Sequence, residues 1–109
     1  MITMAEFVKV AEKSSLPNSG DRIVVEVDDN LFVAVFNVGG SFYAIEDVCT
    51  HDDGPLAEGE LDGYAIECPR HGARFDLRDG KVLSMPAIKP VPYYEVRVEG
   101  EDILIRLDD

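Results

Sequence analysis

Every cysteine and every histidine of this chain lies in one of two short segments. Cys49 and His51 are separated by one residue, Cys68 and His71 by two, and sixteen residues lie between His51 and Cys68. Each segment offers one thiolate and one imidazole, so the two together supply four metal ligands in matched pairs. A fold that binds a metal centre through all four must bring both segments together.

Several kinds of site are compatible with these four residues. The two cysteines could form a disulfide, but residues 1–6 lack the basic start and apolar run of a secretory signal, so nothing indicates an oxidising compartment. Zinc accepts two thiolates and two imidazoles, yet zinc fingers usually pair like with like, whereas each segment here is mixed. Chance explains poorly why all four lie within 23 residues, beside glycine and proline. The disulfide and zinc sites remain the less favoured alternatives.

The ligand pattern and the residues after it resemble the Rieske iron–sulfur family. From Cys68 to Asp76 the chain reads CPRHGARFD, similar to the run found in stand-alone Rieske ferredoxins. Later positions that fit the same run are Gly80, Pro86, Pro90 and Tyr94. The resemblance implies that Cys49 and Cys68 bind one iron of a single 2Fe–2S cluster, and that His51 and His71 bind the other.

Four positions differ from the Rieske proteins of cytochrome bc complexes. Those proteins carry two further cysteines that form a bridge, and the corresponding positions here are Gly54 and Arg70. They also carry a serine and a tyrosine whose hydroxyls hydrogen-bond cluster sulfurs, where this chain has Ala73 and Phe75. Because neighbouring donors tune the reduction potential, the resemblance implies a low-potential ferredoxin rather than a respiratory protein.

The remaining glycine and proline positions are expected to shape the ligand loops. Gly54, Pro69 and Gly72 would allow backbone N–H groups to approach the cluster sulfurs. The resemblance implies that Pro86 belongs to a third loop, which covers the cluster. Each of these residues is also compatible with an ordinary turn.

The apolar pattern is that of short strands with turn residues between them, which predicts an all-β sandwich or barrel. Gly39-Gly40 and Asp62-Gly63 are two-residue hairpin signals, and a short turn is expected near Leu56-Ala57-Glu58. The predicted strands are Phe7–Val10, Ile23–Val27, Leu31–Phe36, Ser41–Ile45, Glu60–Leu61, Tyr64–Glu67, Tyr93–Val98 and Ile103–Leu107. The resemblance implies the Rieske fold: an antiparallel β-sandwich with a small cluster-binding subdomain of two ligand loops.

Length and charge limit the possible roles. The 109 residues predict one domain, 1–109, with the cluster-binding subdomain at about 47–88. The net charge is −12, and residues 46–67 include eight acids and no lysine or arginine. This excess of acids argues against nucleic acid and anionic membranes as partners. It is compatible with a role in solubility or with an acidic docking face. Arg70, Arg74, Arg78 and Lys81 would add a local basic region, or pair with acids of the first segment.

The sequence therefore predicts a one-electron carrier that is not itself an enzyme. The resemblance implies that it passes electrons from a flavin-dependent reductase to a terminal, aromatic-ring-hydroxylating oxygenase. We expect a location in the cytoplasm, because no apolar run approaches the ~20 residues of a membrane span. We also expect a monomer. The alternatives are a Rieske-like small subunit of a reductase such as nitrite reductase and, in another class, a zinc-binding interaction module.

Overall fold

The structure, a computed structural model, describes residues 6–28, 31–48, 55–69, 72–85 and 89–107. Within these residues there is no α-helix, only a 3-10 turn at Lys13–Ser15, and no helix that could cross a bilayer. The strands are β1 (Glu6–Glu12), β2 (Arg22–Asp28), β3 (Leu31–Val38), β4 (Ser41–Glu46), β5 (Leu61–Asp62), β6 (Ala65–Glu67), β7 (Arg74–Asp76), β8 (Val82–Ser84), β9 (Tyr93–Tyr94), β10 (Val96–Glu99) and β11 (Asp102–Leu107). The all-β prediction is confirmed.

The strands form three antiparallel sheets, and the second sheet is the middle layer. The first sheet has the order β1-β11-β10, the second β2-β3-β4-β9 and the third β5-β6-β7-β8. Alternate residues of β3 enter different cores, as the two-residue period of a strand requires. Val33 and Val35 pack against the first sheet through Ile103 and Ile105. On the opposite face, Ala34 and Phe36 pack against the third sheet, through a set of buried residues that includes Leu56, Ile66 and Phe75.

The Gly39-Gly40 hairpin is confirmed, whereas the other predicted hairpin is displaced by one residue. Gly39 and Gly40 have φ of 63° and 92°, the positive values that a type I′ turn requires. In the third sheet Asp62 pairs with Ala65, so the two turn residues are Gly63 and Tyr64 rather than Asp62 and Gly63. The expected turn near Leu56 is present, closed by the Gly59 N–H donating to the Leu56 carbonyl at 3.0 Å.

The predicted strand Tyr93–Val98 is divided between two sheets. Tyr93 and Tyr94 pair with β4 of the second sheet, whereas Val96 to Glu99 pair with β11 of the first. Glu95 lies at the crossing, where its carbonyl accepts the N–H of Arg106 at 2.9 Å. Strands β7 and β8 were not predicted as strands. Each has three residues, which is too short to display a clear period.

Aromatic and charged side chains connect the second and third sheets. The rings of Tyr43 and Tyr64 meet edge to face with their centroids 5.6 Å apart. The Arg78 guanidinium lies 4.4 Å from the Tyr64 ring centroid and donates to both carboxylate oxygens of Asp76, at 3.0 and 2.8 Å. These hydrogen bonds hold the pKa of the nearly buried Asp76 carboxyl below its usual value.

We predict that Asp76→Asn destabilises the protein at neutral pH but not in strong acid. A folded-state pKa below the unfolded value contributes stability that is complete above the unfolded pKa of about 3.9 and is lost as the pH falls through the folded pKa. Because Arg78 is 56% exposed, solvent screens the pair, and we expect a loss of about 1 kcal/mol. Urea unfolding of wild type and variant from about pH 7 to about pH 2 measures the difference.

The matched control is Asp62→Asn, which removes an exposed carboxylate from the same sheet. A cost for Asp76→Asn that is no larger than that of this control, or that does not shrink in acid, would contradict the assigned role of the pair.

Candidate metal centre

The described residues include one of the four predicted ligands. Cys68 directly follows β6, whereas Cys49, His51 and His71 lie outside the described residues. So do Gly54, Arg70 and Pro86, and the described residues alone hold no cluster of three or more His, Cys, Asp or Glu side chains. The structure therefore shows the geometry around Cys68 and around the residues that flank the other three predicted ligands.

The second ligand segment is a closed loop between β6 and β7. The Cys68 N–H donates to the Ala73 carbonyl at 2.6 Å, and the Gly72 N–H donates to the Cys68 carbonyl at 3.1 Å. Gly72 has φ of +78°, a conformation that costs other L-residues about 1–2 kcal/mol. Pro69 is exposed within this loop. The positive φ of Gly72 is thus the backbone feature that accounts for its predicted role in shaping the loop.

The Cys68 thiol is buried in the same cluster as Ala73 and Phe75, the two residues predicted to stand where hydroxyl donors would be. Cys68 is 1% exposed. Ala73 and Phe75 are each 0% exposed and belong to the same buried cluster. A thiol removed from water, with a second thiol and two imidazoles in the sequence, is a donor set that fits a 2Fe–2S cluster. Neither Ala73 nor Phe75 can donate a side-chain hydrogen bond to it.

The ends of the first ligand segment are held together by Asp47. One carboxylate oxygen, Oδ1, accepts the N–H groups of both Leu56 and Ala57 at 2.8 Å. The Asp47 N–H itself donates to the Phe32 carbonyl at 2.8 Å. Asp47 was missed as a site residue. The available signal was an aspartate two residues before a ligand cysteine and nine before a predicted turn, since Asp side chains often bind backbone N–H groups at turns.

Arg22 holds the same turn from the other side. Its Nη1 donates to the carbonyls of Ala57 and Gly59 at 2.9 and 2.6 Å, and its guanidinium lies 5.4 Å from the centre of the Phe36 ring. No local signal in the sequence identifies Arg22, because its carbonyl partners are 35 and 37 residues away.

The segment that contains Pro86 is anchored at both of its ends. On one side, the Ser84 hydroxyl lies 3.4 Å from the Gly72 carbonyl of the second ligand loop. On the other, the Val91 N–H donates to the Gly80 carbonyl at 2.9 Å, and the Pro92 carbonyl accepts the N–H of Glu46 at 2.9 Å. The chain before Pro86 therefore contacts the second ligand loop, and the chain after it contacts the strand that leads to the first ligand segment.

Basic side chains near the site are paired within the third sheet. Arg74 contacts Glu67 at 3.1 Å, and Arg78 contacts Asp76 at 2.8 Å. Glu58, Glu60 and Asp62 are exposed between the two ligand segments. This surface is accordingly acidic in the part that the structure describes.

A profile of the Rieske [2Fe-2S] domain matches residues 6–95 of the chain. Among curated proteins, the 3-phenylpropionate/cinnamic acid dioxygenase ferredoxin subunit of Escherichia coli (strain K12) is 46% identical over 86 residues. This alignment covers 78% of this chain and 81% of that protein.

Solved structures are similar over nearly the whole chain. The ferredoxin of carbazole 1,9a-dioxygenase from Nocardioides aromaticivorans IC177 has a TM-score of 0.84 and 37% identity, covering 91% of this chain and 95% of that one. A chain in a complex of reduced oxygenase and oxidized ferredoxin in carbazole 1,9a-dioxygenase matches with the same TM-score and identity, covering 91% of each chain. A putative NADH-dependent nitrite reductase small subunit from Mycobacterium tuberculosis has a TM-score of 0.82, covering 98% of this chain and 99% of that one, but its 24% identity supports similarity of fold alone.

Proposed function

The chain belongs to the Rieske [2Fe-2S] domain family, as a ferredoxin that carries electrons on a 2Fe–2S cluster, and we propose that Cys49, Cys68, His51 and His71 hold that cluster. The observation that carries the ligand assignment is the position of Cys68. Its buried thiol stands at the start of a loop closed by two backbone hydrogen bonds, and His71 lies within that loop in the sequence.

The donor set accounts for the redox property that distinguishes this kind of centre. The bound cluster supplies one-electron chemistry, and neutral imidazoles in place of two thiolates raise its potential, because an electron enters a less negative centre more readily. The protein's contribution is to exclude water from the thiolate side, where Cys68 is 1% exposed. The apolar Ala73 and Phe75 then leave the potential without the increase that hydroxyl donors would give.

We further propose that the protein receives electrons from a flavin-dependent reductase and delivers them to a terminal, aromatic-ring-hydroxylating oxygenase. The support is 46% identity to a dioxygenase ferredoxin subunit and 37% identity to a ferredoxin matched in complex with an oxygenase. The alternative role as a small subunit of nitrite reductase has support from the fold alone. Because the chain belongs to the Rieske [2Fe-2S] domain family, a zinc-binding interaction module is no longer proposed.

Three finer statements belong to the same proposal. The chain forms one domain with the ligand loops in a subdomain at about 47–88, it is a monomer, and it works in the cytoplasm. Light scattering on the purified protein tests whether it is a monomer. A small subunit of nitrite reductase would instead associate stably with a larger chain. Fractionation of the native cells, followed by immunoblotting, tests the location.

We predict about two iron atoms and two acid-labile sulfides per chain, with an EPR signal in the dithionite-reduced state that is absent from the oxidised state. Replacing Cys49 or Cys68 by serine should abolish the signal and lower the soluble yield, because binding of the metal centre is coupled to folding. A colourless wild-type protein that holds one zinc ion would overturn the assignment.

We predict that Ala73→Ser and Phe75→Tyr raise the reduction potential, each by tens of millivolts. A hydroxyl near a cluster sulfur stabilises the extra negative charge of the reduced state, and about 59 mV corresponds to a tenfold change in a one-electron equilibrium. Protein-film voltammetry measures the shift. Both sites are fully buried, so a hydroxyl far from any acceptor would instead lower stability by about 1–3 kcal/mol without moving the potential. That result would contradict the proposed proximity to the cluster.

We predict that salt slows the second-order reaction with a basic redox partner. The net charge is −12, and attraction between exposed charges is screened when the Debye length falls to about 8 Å at physiological ionic strength. Stopped-flow oxidation of the reduced ferredoxin by horse-heart cytochrome c, a basic acceptor, provides the measurement. Replacing Glu58, Glu60 and Asp62 together by their amides should weaken the salt dependence, and an unchanged dependence would assign these acids to solubility alone.

A further inference from the structure

We propose that Asp47 and Arg22 are positioning residues that fix the distance between the two ligand segments through the turn at residues 56–59. The proposal rests on the assignment of Cys49, His51, Cys68 and His71 as cluster ligands. Neither Asp47 nor Arg22 is expected to touch the cluster. Both act on backbone groups that connect one ligand segment to the other.

Asp47 forms the first connection. Asp47 lies two positions before Cys49. Its Oδ1 atom accepts the N–H groups of Leu56 and Ala57, which follow the first ligand segment. One carboxylate oxygen thus spans residues 48–55 and sets how far apart the two ends of the segment stand. Leu56 is 0% exposed, so the hydrogen-bonded end is also fixed in the core.

Arg22 forms the second connection, from β2 of the middle sheet. Its two hydrogen bonds to the Ala57 and Gly59 carbonyls fix the far side of the same turn. A third hydrogen bond, from Nε to the Gly20 carbonyl at 3.2 Å, orients the guanidinium. The turn is therefore held by a carboxylate at its N–H groups and by a guanidinium at its carbonyls.

Gly59 completes the path to the second ligand segment. A Cβ atom at this position would lie 1.7 Å from the Glu67 carbonyl oxygen, so the backbones are in direct contact one residue before Cys68. The Glu67 N–H also donates to the Glu60 carbonyl at 2.9 Å. Movement of the turn would be transmitted to Cys68 because no side chain intervenes.

The test compares two replacements of Asp47 that remove the same charge. Asp47→Asn keeps a carbonyl oxygen that can accept both N–H groups, whereas Asp47→Ala removes the acceptor. We expect Asp47→Ala to lose its cluster to a chelator about tenfold faster than wild type, and Asp47→Asn to remain within about threefold, because only the alanine variant leaves two N–H groups without their acceptor. Bleaching of the visible absorbance gives the rates.

Two further measurements separate positioning from a general loss of stability. Hydrogen exchange of the peptide that contains Leu56 and Ala57 should accelerate in Asp47→Ala and not in Asp47→Asn. The EPR line shape of the reduced protein, compared at equal cluster content, should change in the alanine variant alone. Asp62→Ala and Asp62→Asn serve as the matched control pair, since they remove an exposed carboxylate.

Arg22 provides an independent test if Asp47→Ala does not accumulate as folded protein. Arg22→Lys keeps a donor for one carbonyl, and Arg22→Met removes all donors while retaining an apolar chain of similar length. We expect faster cluster loss in the order methionine variant, lysine variant, wild type. Arg97→Met, an exposed arginine of β10 paired with Glu99, is the control and should behave as wild type.

The outcomes distinguish this inference from the ligand assignment. A wild-type protein without a 2Fe–2S cluster would overturn the ligand assignment and, with it, the positioning role. A wild-type protein with the cluster, in which Asp47→Ala and Asp47→Asn lose it at the same rate and Arg22→Met matches its control, would overturn the positioning role alone.

Discussion

The whole arrangement depends on the burial of β3 on both of its faces. Residues Val33 to Phe36 are each 0% exposed, so two cores meet along one strand. Asn37 is the one polar residue in this buried stretch, and both ends of its amide are hydrogen-bonded: Nδ2 donates to the Leu16 carbonyl at 2.7 Å, and Oδ1 accepts the Gly40 N–H at 2.9 Å. A buried amide is tolerated when such partners are present. Asn37 therefore connects the apolar strand to the hairpin that follows it.

Within the described residues, polar contacts hold the chain on either side of the ligand segments. The first lies between Asp47 and the turn that Asp47 and Arg22 bind, the second is closed by Cys68 and Ala73, and the third is anchored at Gly80 and Glu46. Backbone N–H and carbonyl groups supply most of these bonds. Loops rich in glycine and proline bury few side chains of their own, so neighbouring backbone has to define their shape.

The sequence predicted the chemistry of the site and most strands, but not the contacts that shape the site. The proposed ligands Cys49, His51, Cys68 and His71 stand out by composition and spacing, although only Cys68 lies within the described residues. Strands with a clear period were found because alternation is local. The division of Tyr93–Val98 at Glu95 depends on which sheet offers an edge, and that information is not local. For the same reason, the contacts of Arg22 and of Gly59 with distant carbonyls had no signal in the sequence.

The alternation along β3 has a consequence for how such a protein can diverge. Val33 and Val35 face the first sheet. Ala34 and Phe36 face the opposite way, toward the core that contains Cys68. Substitutions at positions 34 and 36 would change the packing in the core that contains Cys68. Substitutions at positions 33 and 35 would instead change the packing against the first sheet, because the two sets of side chains share a backbone but not a core. The packing around Cys68 can thus diverge while the core on the opposite face of β3 keeps its side chains.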